Sequence, residues 1–148
     1  EDNRFNDTTP TSSVFSVGDS DETNYNGDDH IAYCFAEVDG YSRIGKYKGN
    51  GSADGTFVYT GFRPAWLWIK STTANRENVI FDNKRNAFNV TNEGMSLRGY
   101  AETTDYGILD FLSNGFKLRA STNHSNENGQ DIIYIAFAEA PFKFANAR

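Results

Sequence analysis

Short apolar runs, nearly all cut off by Gly or Asn, recur along this 148-residue chain, and no stretch of a dozen residues shows a 3.6-residue apolar period. In RPAWLWIKS (63–71), Ala65, Leu67 and Ile69 oppose Trp66, Trp68 and Lys70. In YSRIGKYKG (41–49), Tyr41, Arg43, Gly45 and Tyr47 oppose Ser42, Ile44 and Lys46. Alternation of this kind places successive side chains on opposite faces of a strand. Further runs are SVFSVG (13–18), GTFVYTGF (55–62), ENVIFDN (77–83), the weaker GMSLRGY (94–100), YGILDFLSNGFKLRAS (106–121) and DIIYIAFAEAPF (131–142). HIAYCFAEV (30–38) is continuous, as a strand covered on both faces would be. The pattern predicts nine or ten short strands, little helix and an all-β fold, an antiparallel β-sandwich. Ser113-Asn114-Gly115 reads as a type I′ hairpin turn joining ILDFL to FKLRA. Residues 1–12 are polar and read as a linker or arm, or as a cut from a longer polypeptide, and residues 13–148 as a single sandwich domain.

The tripeptide Phe-Ala-Glu occurs twice, at 35–37 and 137–139, each time after a long polar loop (19–30 and 121–131) and an earlier strand. A weak internal repeat accounts for the echo. It predicts that 31–38 and 132–140 lie side by side and antiparallel in the sheet centre, with Glu37 and Glu139 toward opposite ends, each paired with Lys or Arg. Cys34, inside the first of these strands, is then a buried thiol.

Composition agrees with strands and tight turns: aromatics make up 15% of the chain, with 12 Phe, 8 Tyr and 13 Gly. A formal charge of −6 argues against nucleic-acid binding, which needs basic surface, and against docking on anionic membranes. One cysteine excludes an internal disulfide and a cysteine-rich metal site. No run approaches a membrane span, and the acidic opening is unlike a signal peptide.

Candidate chemistry is sparse. Glu37 and Glu139 on neighbouring strands would suit acid–base work on a glycosidic bond, but their place at the wet end of apolar strands favours ion pairing. Asp19, Asp21, Asn24, Asn26, Asp28 and Asp29 are hard oxygen ligands suited to Ca2+, with Asp19, Asp21, Asp28 and Asp29 as the metal set if one binds. As an EF-hand the loop fails, because His30 stands at the twelfth position and Gly at the ninth. His30 and His124 assemble no zinc set, and nucleophile-elbow, Walker and dinucleotide motifs are missing from the sequence. Trp66 and Trp68 share a strand face and serve either as packing, in the core or between subunits, or as a stacking platform for sugar rings. Lys84 and Arg85 form a basic turn whose default is local pairing with Asp82.

GKYKGNGSADGTFVYTGFRPAWLWIKST (45–72), VIFDNKRNAFN (79–89), LDFLSNGFKLRA (109–120) and YIAFAEAPFKFANAR (134–148) together resemble the C-terminal domains of marine-bacteriophage tail-fibre-like proteins. The resemblance covers nearly everything after residue 12. It implies a concanavalin-A-like jelly-roll sandwich on the virion surface, presenting loops to a host-surface receptor or glycan, with copies of itself as partners, a trimer favoured. It carries over no catalytic motif and no cofactor, and loop 19–30 departs from it by being more acidic. The resulting expectation is a non-enzymatic adhesin whose contacts come from Trp66, Trp68, Asp19, Asp21, Asn24, Asn26, Asn123, His124, Asn126 and Asn128. The alternatives are a self-assembling fibre, sheath or decoration subunit, and a polysaccharide-degrading tailspike module using Glu37 and Glu139.

Overall fold

The computed structural model describes residues 4–73, 75–86, 88–97 and 106–141, so the expectations for 98–100 and 142–148 lie outside the described residues. The chain divides into two units, Glu1–Phe35 and Ala36–Arg148. In the second unit the strands are β1 Ser42–Lys48, β2 Phe57–Tyr59, β3 Pro64–Ser71, β4 Val79–Asp82, β5 Met95–Ser96, β6 Leu109–Leu112, β7 Gly115–Leu118 and β8 Asp131–Ala138. They form a five-stranded sheet, ordered β1-β8-β3-β4-β5, and a three-stranded sheet, ordered β2-β7-β6. Every ladder is antiparallel.

Alternate residues of the two sheets close on one core. The larger sheet supplies Tyr47, Leu67, Ile69, Val79, Phe81, Ile132, Tyr134 and Ala136; the smaller supplies Val58, Leu109, Phe111, Phe116 and Leu118. The fold is the all-β sandwich that the alternation predicts. Phe81, Phe111 and Phe116 are fully buried, and each such ring contributes about 1.5–3 kcal/mol through removal from water. Phe116 meets Tyr47 at 5.8 Å and Tyr134 at 5.4 Å, both edge to face, the geometry that ring quadrupoles favour.

Tyr47 adds a polar anchor, its hydroxyl donating to the Ser125 carbonyl at 2.8 Å. Burial pushes its pKa well above the ordinary tyrosine range. Since the folded-state pKa is the raised one, this contribution is fully present below the unfolded value and is lost as pH rises through and beyond it. Tyr47→Phe is expected to cost about 1 kcal/mol at pH 7, for the lost hydrogen bond. Above a pH of about 10 the wild type should lose about 1.4 kcal/mol per pH unit from this group, so the gap should close near pH 11. Urea titrations of both proteins at the two pH values check this.

Three expectations about the backbone change. Residues 31–35 form no strand; Val38 alone of that run makes a bridge, to Ser42. Both sides of β8 are taken, by β1 (Ser42↔Phe137 through Lys48↔Asp131) and by β3 (Leu67↔Ala136, Ile69↔Tyr134). Beside β8, β1 fits because Gly45 sits opposite Tyr134, where a Cβ would lie 2.8 Å from the phenol oxygen. Ile31 and Tyr33 are 79% exposed, and Cys34 is an exposed thiol rather than a buried one.

The SVFSVG run is likewise no strand. Thr11 folds it into a turn instead, accepting from the Val14 N–H through its hydroxyl at 3.0 Å and donating its own N–H to Val14 O at 2.8 Å. Such side-chain bonds compete with ladder formation. The described residues therefore hold eight strands.

The 113–115 hairpin exists, but its two-residue loop is Ser113-Asn114, because Leu112 pairs with Gly115. Neither Ser113 nor Asn114 has positive φ, so the turn is not type I′. Gly115 is required by crowding: a Cβ there would stand 2.1 Å from the Val58 carbonyl on β2.

Candidate binding face

On the five-stranded sheet, the residues that alternate with the core set point the other way. Trp66 and Trp68 belong to this outer set, beside Phe137 and Ile135 on β8 and Asp82 and Ile80 on β4. None of them is part of the core cluster. The two tryptophans are partly exposed, while Trp68 Nε1 and Ile80 beside it are buried. A β-bulge between Pro64 and Trp66 makes this possible, since Pro64 pairs with Ala138 and Trp66 already with Phe137. The extra residue, Ala65, keeps Pro64 buried while Trp66 faces outward.

Three rings line up at this end of the sheet. Trp66 lies 5.5 Å from Phe137, and Phe137 lies 5.6 Å from Tyr41, with interplanar angles of 46° and 55°. Polar groups border the row. Glu139 forms an ion pair with Arg63 Nε at 3.1 Å and accepts a hydrogen bond from Asn83 Nδ2 at 2.7 Å. Asp82 accepts the backbone N–H groups of Lys84 and Arg85, both at 2.9 Å, and pairs with Arg85 Nε at 3.1 Å. The basic turn is thus locally neutralised at Arg85, while Lys84 stays exposed.

The paired-glutamate expectation is corrected in one respect. Both glutamates lie toward the same end of the sheet, because the start of β1 adjoins the end of β8 and Val38 turns back onto Ser42. Each nevertheless has its own arginine. Glu37 pairs with Arg43 Nε at 3.4 Å and accepts the Ile44 N–H at 3.0 Å, separately from the Arg63–Glu139 pair. Exposed pairs of this kind contribute about 0–1 kcal/mol.

The loop 121–131 is chiefly a structural tie. Asn126 is fully buried. Its Oδ1 accepts from Asn50 N–H at 3.1 Å, and its Nδ2 reaches Asn50 Oδ1, Ser52 O and Ala120 O at 2.9–3.1 Å. Its polar atoms are spent internally, and it is not placed to touch a ligand. Gly49 closes the same contact, since a Cβ there would lie 2.2 Å from Glu127 O. His124 packs edge-on to Tyr106 at 5.2 Å. Asn123 and Asn128 are exposed.

Within the first unit, Asp21–Asn24 form a one-turn helix, α1, capped by Ser20. The Ser20 hydroxyl donates to the Glu22 carboxylate, and Arg4 pairs with it at 3.0 Å. Together, Ser20 first, they hold the Glu22 pKa below the ordinary carboxylate range. Asn24 donates to Gly18 O at 2.9 Å, and His30 Nε2 accepts the Tyr25 N–H at 3.1 Å. Asp19, Asp21, Asn26, Asp28 and Asp29 are exposed. Among the described residues no group of three or more His, Cys, Asp or Glu side chains is placed to hold a metal.

The structure therefore brings Trp66 together with Glu139, which the sequence offered only as a carboxylate, and with four residues that were not candidates on sequence grounds: Tyr41, Phe137, Arg63 and Asn83. Alternation does put Phe137 opposite Ala136, but only the β3–β8 pairing brings it to Trp66.

A family model described as a domain of unknown function, DUF7483, matches residues 1–141. No curated protein and no solved structure matches the chain. No helix among the described residues is long and apolar enough to cross a membrane.

Proposed function

Since the chain belongs to the DUF7483 family, whose description assigns no activity, we propose a function from the site itself: a non-enzymatic adhesin domain that binds a host-surface glycan. The observation that carries this reading is the Tyr41–Phe137–Trp66 ring row on the outer face, off the core and bordered by hydrogen-bonding side chains. Aromatic faces pack against the C–H faces of sugar rings, and carboxylate, amide and guanidinium groups bond their hydroxyls. The sequence resemblance to phage tail-fibre domains supports a place on a virion surface, with several copies acting together so that weak contacts add up. The exposed Asp19, Asp21, Asn26, Asn123 and Asn128 remain proposed loop contacts in that setting.

A glycan-array screen of the purified chain, with and without a chelator, tests the reading. Retention of a discrete set of glycans is expected. Retention of none, together with open-ended growth in sedimentation as concentration rises, would support the purely architectural role instead.

A further inference from the structure

We infer that this face takes an uncharged glycan, one presenting vicinal hydroxyls, rather than an acidic one; the inference rests on the glycan-binding reading above. The border of the ring row holds two arginines, and each is committed to a carboxylate: Arg63 to Glu139 at 3.1 Å and Arg85 to Asp82 at 3.1 Å. Asp82 stands directly beside Trp66 across the β3–β4 ladder. Asn83, next to Asp82 in the chain, donates its amide to Glu139, and its N–H donates to Ala65 O at 3.0 Å, at the bulge beside Trp66.

A uronate approaching Trp66 meets Asp82 and Glu139 as like charges, and both guanidiniums there already face a carboxylate through Nε, which offsets their positive charge. Lys84, exposed in the same turn, is a solvated charge that offers little in return. A neutral sugar meets no such penalty. Arginine–carboxylate pairs and an amide present donors and acceptors side by side, which is what two adjacent hydroxyls require.

Isothermal titration of the intact chain tests this, using hexasaccharides of glucose, mannose and galactose against hexasaccharides of the corresponding uronic acids. Expected is binding of at least one neutral series, at least about 10-fold tighter than its uronate and changing less than about 2-fold between 20 and 300 mM NaCl. Glu139→Gln, which leaves Arg63 without its carboxylate, is expected to raise uronate affinity by about 5-fold without strengthening neutral binding. Uronates binding more tightly than neutral sugars, with strong weakening by salt, overturn the inference. If that uronate binding also disappears in Trp66→Ala, the adhesin reading survives the loss. Binding of neither series overturns both.

Discussion

Asn126→Ala is expected to lower the unfolding free energy by about 3–5 kcal/mol, a large share of the stability of a domain this size. The side chain is fully buried, and its four polar contacts serve groups of three other residues. Alanine leaves Asn50 N–H, Ser52 O and Ala120 O without that partner, and each buried orphan costs about 1–3 kcal/mol. Water cannot easily replace the amide, because Gly49 and Gly51 let the 126–128 backbone close directly on this turn. Asn123→Ala and Asn128→Ala, at exposed positions of the same loop, should change stability by less than about 0.5 kcal/mol. Urea unfolding of the three variants separates a loop that ties the sandwich together from one that exists to touch a ligand. Unchanged stability in Asn126→Ala would argue for the second.

Trp66→Ala should carry the largest functional effect. Losing one stacking surface of about 1.5 kcal/mol weakens a single site roughly 10-fold. If three copies engage a surface together, the loss multiplies toward roughly 10³-fold on a dense glycan layer. The ring is partly exposed and outside the core, so the sandwich should persist, with some loss from the broken Phe137 contact. Surface binding measured at low and high glycan density, with circular dichroism on the same samples, reads both effects. Trp66→Phe should restore most of the affinity. Full binding by the folded alanine variant would remove this face as the site.

The all-β class and most of the strands were legible because the chain alternates with period 2 between turn residues, and local sterics make a pleated strand the only regular structure that honours that period. The opposition of Leu67 and Ile69 to Trp66 and Trp68 was legible for the same reason. Which of those faces became the core was not, since both are apolar; that waited on the smaller sheet bringing Phe111 and Phe116 against Leu67 and Ile69. The repeated Phe-Ala-Glu misled, because strand composition does not name a partner. At 137–139 the motif ends a strand held on both sides, whereas at 35–37 it only leads into the turn before β1. The acidic and Asn-rich loops were equally ambiguous, as one amide can bind a ligand or lock a turn, and burial decided for Asn126. By itself the sequence determined the sandwich class and the two-sided character of its strands, through alternation and turn chemistry. Tertiary structure alone decided that Trp66 meets Phe137 and Tyr41 beside Arg63, Asn83 and Glu139, because that site depends on long-range register and on one bulge at Ala65 that no local pattern encodes.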